Sequence, residues 1–180
     1  FKDGRPHAII GLVPGEIISE DAGYIDHIDV EYDILKVAVI ERHKNTHHIG
    51  LGYIKGYGLK SGAVATSISH DSHNIIVVGT NEEEMAAAAN RIAENHGGIT
   101  VMQDGKVLGE VPLAIAGIMS DDPLVMVNSA LESAKEEAFR LGVSQDIDPF
   151  MTLSFMALPV IPTLRITTRG VFDVNTQRYI

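Results

Sequence analysis

The densest concentration of reactive side chains in this sequence is Ser69-His70-Asp71-Ser72-His73-Asn74, set immediately before the apolar run Ile75-Ile76-Val77-Val78. Two imidazoles and a carboxylate supply either a base with an orienting acid or donor atoms for a metal ion. His70 and His73 are three residues apart, an odd offset that sends side chains to opposite faces of an extended strand. They converge only where the chain turns between them. Consecutive hydrogen-bonding side chains are expensive to bury without partners, so the segment is placed at a strand end or in a connection. Residue chemistry alone leaves two readings open: a functional cluster, or an Asx or Ser turn with solvated histidines. A Ser-His-Asp triad does not follow from such neighbours, because triad geometry is usually assembled from distant parts of a chain.

A second group, Glu41-Arg42-His43, follows the β-branched alternation Leu35, Val37, Val39 and brings an acid, a fixed cation and a titratable ring to one strand terminus. A surface ion pair of Glu41 with Arg42 or Lys44 is its plainer reading. His47-His48 has no spaced third ligand. The stretch Gly50 to Gly62 fails as a phosphate cradle: Lys55 and Ser61 stand where G-x-G-x-x-G needs glycine, and G-x-x-x-x-G-K-[ST] has no match. Its glycines predict bent strands, bulges or a closely approached backbone, and Lys55 and Lys60 read as solvated edge lysines. The acids Asp26, Asp29, Glu31 and Asp33 lack EF-hand spacing and read as a solvated loop or an edge.

These groups must be carried by 180 residues with 14 Lys and Arg against 24 Asp and Glu, a formal charge of -10. That balance offers no basic field to a phosphate backbone, so nucleic acid is not expected as a partner. The absence of cysteine excludes a disulfide scaffold, a thiolate zinc site, a thiol nucleophile and Cys-ligated zinc deaminase chemistry, and suits a reducing compartment. No run approaches the roughly 20 apolar residues of a membrane span, and the start lacks a signal peptide's charged and apolar regions. The expectation is a soluble, cytoplasmic protein without a membrane partner. The absence of an initiator Met suggests that Phe1 is not a natural beginning.

The elements that position these groups read as one α+β domain over residues 1–180, with about eight mostly antiparallel strands and two helices. Ile75 to Val78, apolar on both strand faces, predicts a central strand covered on both sides. Asn81 caps a first helix with Glu82, Glu83 and Glu84 on its positive end, followed by Met85, Ala88, Ala89 and Ile92 and closed by Gly97-Gly98. Asp104-Gly105 predicts a hairpin. Asp122 as N-cap and Pro123 at the first helical position open a second helix, with Val127, Leu131, Ala134, Ala138 and Leu141 on one stripe and Gly142 as its stop. Met151 to Ile180 has strand-like composition, with Pro162 marking a short, edge or broken strand.

Taken in order, seven stretches resemble the C-terminal region of bacterial adenine deaminases, in the amidohydrolase superfamily. They are Val39-Ile-Glu41-Arg42-His43, Ile49-Gly-Leu-Gly52, Lys55-Gly56-Tyr-Gly58-Leu-Lys60-Ser61-Gly62, His70-Asp71-Ser72-His73-Asn74, Val78-Gly79-Thr80-Asn81, Leu113-Ala-Ile-Ala-Gly117-Ile-Met-Ser120-Asp121 and Asp148-Pro-Phe-Met-Thr-Leu-Ser-Phe155. The similarity runs along nearly the whole chain. It implies hydrolytic deamination of adenine to hypoxanthine and ammonia with a divalent metal, manganese or iron, held in a (β/α)8 barrel that precedes this region. A barrel of about 250 residues cannot fit here, and no His-x-His pair of the superfamily type occurs. The resemblance therefore implies the C-terminal part of a longer enzyme, with no metal expected within this chain and little activity alone. Its implied partners are the preceding barrel, adenine in the full-length enzyme, and a second copy if the enzyme is a homo-oligomer. On the same basis His73, Asp71 and His70 are candidate catalytic residues, and Ser72, Asn74, Glu41 and His43 candidate substrate-binding residues at the barrel's mouth. Two other classes compete: a docking or oligomerisation module, and an autonomous hydrolase using His70, Asp71 and His73 with its own metal. If a barrel is missing, Met151 to Ile161 is expected to form part of an exposed apolar docking face.

Overall fold

The computed structural model describes residues 2–180; Phe1 lies outside them. Strands β1 (His7–Leu12), β2 (Ser19–Ile25), β3 (Ile34–Ile40), β4 (Ile49–Lys55), β5 (Ala63–Thr66), β6 (Ile75–Gly79), β7 (Gly98–Gln103) and β8 (Lys106–Pro112) form one sheet in the order β2-β1-β4-β3-β6-β5-β7-β8. Neighbours are antiparallel except β1 and β4. The outermost strands are β2 and β8. Helix α1 (Glu82–Glu94) covers one face; α2 (Leu124–Arg140), α3 (Pro149–Met156) and a smaller sheet of β9 (Leu164–Thr167), β10 (Gly170–Asp173) and β11 (Arg178–Tyr179) cover the other.

Strand alternation divides the core. Val37, Val39, Val64, Ile76, Val78 and Val101 join the larger cluster with α2, α3 and the second sheet. Ala38, Ala63, Ala65 and Val77 face α1, where Ala88 and Ala89 meet them. β6 is buried along its full length, as an apolar run covered on both faces requires. The glycines of β4 admit the second sheet. A Cβ on Gly50 would collide with the Thr167 carbonyl, and one on Gly52 would come within 2.7 Å of Val171 Cγ2.

Asn81 caps α1 as expected, its side chain accepting from the Glu84 N–H at 2.8 Å, and β7 and β8 pair across Asp104-Gly105. The acidic stretch lies partly on β2, an edge strand. Within it Asp33 accepts from the N–H groups of Gly56 and Gly58 at 3.0 and 2.8 Å.

Three expectations are corrected. There are eleven strands and three helices among the described residues, not eight and two. The third helix, Pro149–Met156, forms because Asp148 accepts from the Phe150 and Met151 N–H groups with Pro149 at the first position; an apolar run this short has no period that separates helix from strand. The N-cap of α2 is Pro123, without a side-chain bond, because Asp122 instead accepts from the Ser120 hydroxyl at 3.2 Å. Met151 to Ile161 is only a partial apolar face: Met151 and Val160 are exposed, while Leu153, Met156 and Ala157 are core.

Among the described residues no helix is long and apolar enough to cross a membrane.

Candidate functional site

The register of the sheet gathers the reactive residues. Ile40 pairs with Ile49 and with Ile75, Thr66 with Ile76 and with Ile99, and Gly98 with Pro112. Residues 41–48, 67–74, 96–97 and 113–120 therefore emerge at one end of the sheet. Six of the eight histidines lie there: His43, His47, His48, His70, His73 and His96.

A turn at 70–72 overcomes the odd spacing of His70 and His73, whose ring centroids are 5.9 Å apart. His73 sits at φ 49°, where its N–H donates to the Ser69 carbonyl at 2.6 Å and its Nδ1 accepts from the Ser69 N–H at 3.3 Å. That bond leaves Nδ1 unprotonated and puts the ring proton on Nε2. Burial pushes His73 below the ordinary histidine value, and His70 and Arg42 add to the effect. The His70 ring lies 5.3 Å from that of Phe155 on α3, and the His70 backbone N–H donates to the Ser154 carbonyl at 3.2 Å.

Asp71 and Ser72 are exposed at the tip of the turn. With Asn74 they line a cavity of about 240 Å³ closed by Pro159 and Thr167. Asn74 is buried and its Oδ1 accepts from the Arg42 N–H at 3.2 Å. His43 Nε2 donates to the Ser72 carbonyl at 2.6 Å. The Ser72 hydroxyl accepts from the Asn74 N–H at 3.4 Å, and among the described residues no hydrogen bond joins it to a histidine ring as a nucleophile–base pair would need.

The expected Glu41 ion pair does not form. Its carboxylate accepts from the N–H groups of His43, Lys44 and Thr46 and from the Thr46 hydroxyl, at 2.6 to 3.0 Å. The Thr46 N–H first, with those of Lys44 and His43, holds the carboxyl at about 2. Backbone donors fixed by a tight loop outcompete a mobile surface cation.

The sequence names Arg42 only as a fixed cation and ion-pair partner of Glu41, and misses its role as a brace. Its Nε donates to the His73 carbonyl at 2.5 Å and its Nη2 to the Ala116 carbonyl at 2.7 Å. The guanidinium lies against Gly117, where any Cβ would strike it. Ser67 completes the brace, donating to the Gly117 carbonyl at 2.6 Å and accepting from the Gly98 N–H at 2.7 Å. Arg42 thus ties the histidine turn to the 114–120 loop. The available signal was that both tied segments fall within the family resemblance.

Chemically, this end offers a neutral imidazole whose Nε2–H has no acceptor among the described residues, a second imidazole, and a carboxylate, Asp71, that accepts no hydrogen bond from them. Among those residues no three His, Asp or Glu side chains converge as metal ligands would.

The model of the adenine deaminase C-terminal domain matches residues 16–178. The chain belongs to the adenine deaminase C-terminal domain family. Its relatives include the adenine deaminase of Bacillus subtilis (strain 168), 51% identical over 152 residues covering 84% of this chain and 26% of that protein. The adenine deaminase of Brucella anthropi is 47% identical over 186 residues, 99% of this chain and 33% of that protein. Adenine deaminase 1 of Rhizobium johnstonii is 48% identical over 175 residues, 93% and 30% respectively. The adenine deaminase C-terminal domain described here thus spans a third or less of the length of these curated relatives.

Proposed function

We propose that this chain is the C-terminal part of a cytoplasmic adenine deaminase, a longer polypeptide that hydrolyses adenine to hypoxanthine and ammonia, and that its histidine-bearing sheet end faces the reacting centre. The observation that carries this reading is His73, a ring held neutral with Nδ1 taken by Ser69 and with Nε2–H hydrogen-bonded to none of the described residues. In the reaction a water oxygen bonds to C6, a proton reaches the exocyclic nitrogen, the C6–N bond breaks and ammonia leaves. The proton remaining from the water is accounted for in the 6-oxo product. A positioned donor and a nearby acceptor speed such transfers. His73 Nε2–H donates to a purine ring nitrogen, while Asp71 and His70 hold and pass the proton bound for the amine. Ser72 and Asn74 wall the space beside them. Glu41 and His43 act on substrate through the segments they brace. The divalent ion that the resemblance implies, manganese or iron, has no ligand set among the described residues. It is assigned to the preceding part of the enzyme, and no step here is routed through it.

His73→Asn in the full-length enzyme tests the assignment. Asn tolerates the positive φ and its Oδ1 can replace Nδ1 as acceptor for Ser69, but it has no donor where Nε2–H stood. Turnover is expected to fall about 100-fold, the lower range for a positioned proton-transfer group, with the thermal midpoint unchanged. Undiminished turnover would leave the domain as a docking or oligomerisation module.

A further inference from the structure

We propose that the exposed apolar segment Ile115–Met126 is the surface on which the preceding part of the full-length enzyme docks, an inference that rests on the reading that such a part exists. Five large apolar side chains are concentrated in it: Ile115 at 45% exposure, Met119 at 52%, Leu124 at 84%, Val125 at 74% and Met126 at 59%. Single exposed apolar residues are ordinary, but a concentration of this kind marks an interaction surface. The α2 side chains that pack on the core begin at Val127, so the domain itself makes no use of the helix's first turn.

The segment is held in place. Ile115 and Met119 exchange backbone hydrogen bonds of 3.0 and 3.1 Å, and the Ala116 and Gly117 carbonyls are fixed by Arg42 and Ser67. Through Arg42 the segment is also tied to the turn that carries His73. A partner seated over that turn therefore meets Ile115–Met126 as well.

One observation and one physical argument favour the preceding polypeptide as occupant. The relatives place 67–74% of their length outside the region matched here, so in such a protein most of the polypeptide is available to cover this surface. A covalently joined domain is present at an effective concentration of order millimolar, an advantage that a second copy lacks.

The methionines provide the test. Met119, Met126 and Met151 are 52%, 59% and 50% exposed, whereas Met85, Met102 and Met156 are buried. The full-length enzyme is oxidised with hydrogen peroxide, native and guanidinium-unfolded, and each sulfoxide is quantified by peptide mass spectrometry. Met119 and Met126 are expected to react about tenfold more slowly in the native enzyme than in the unfolded one, grouping with the buried three, because oxidation follows exposure. Leu124→Asp/Val125→Asp is expected to release them. Native rates close to the unfolded rate overturn the proposal, whatever Met151 does. So does protection that vanishes on dilution as the particle mass halves, since the occupant is then a second copy. Adenine turnover, measured separately, distinguishes failure of the functional reading from failure of this one: an inactive enzyme with protected methionines defeats only the former.

Discussion

Protonation of His73 would set two N–H groups against each other, because the only free ring nitrogen is the one that already accepts from Ser69. The folded state therefore resists the proton, in agreement with a folded pKa displaced below 6.5 by burial and by His70. A group whose folded value is depressed contributes stability above its unfolded value and loses it as pH falls through the folded one. Nitrogen-15 NMR is expected to show the Nε2–H tautomer at pH 7, with a midpoint below 6.5 that moves up towards 6.5 in urea. A midpoint above 6.5 in the folded domain would remove the fixed tautomer from the mechanism. At this scale the His70–Asn74 cluster was legible because polar residues crowd against an apolar strand. Arg42 was not. A cation beside Glu41 reads as an ion pair, and its real acceptors are carbonyls 31 and 74 positions away, groups that every residue type carries.

Helix α3 shows what decides an element when periodicity is silent. Its eight residues, Pro149–Met156, are mostly apolar and mostly buried, so neither a helical nor a strand period stands out. The information sat one residue earlier, in Asp148 followed by Pro149, a pairing that closes free helix N–H groups and presets the first turn. Asp148 also meets Lys135 of α2 at 2.9 Å, so one carboxylate starts α3 and joins it to α2. Asp148→Ala is expected to lower the unfolding free energy by about 1–2 kcal/mol, read as a lower urea midpoint with unchanged slope. Asp148→Asn should recover most of the loss, since it keeps the cap and gives up only a partly exposed ion pair. Helix α1 and the β7–β8 hairpin were legible because each boundary is written in residues with one dominant use, Asn81 before three acids and Asp104-Gly105 between apolar runs.

For the whole molecule, the α+β class followed from composition and alternation, and the shortfall in strands from short pieces such as β11, two residues long. What no single-chain pattern revealed was that six histidines share a sheet end, since this depends on the register of five strands. Separating that end from the remainder of the enzyme has a measurable cost. The purified chain alone, with or without added manganese, is expected to release no ammonia from adenine under conditions in which the full-length enzyme turns over. Enzymatic release by the isolated chain would require a complete site within these 180 residues.

The rims of the large sheet bear on how such a chain can associate. β2 offers Glu20 and Asp21, and β8 offers Lys106 and Glu110. A foreign strand laid along either rim would crowd against these charges. Fibril-like growth by backbone pairing is opposed on both sides, and contacts with other polypeptides are steered towards side-chain packing elsewhere on the surface.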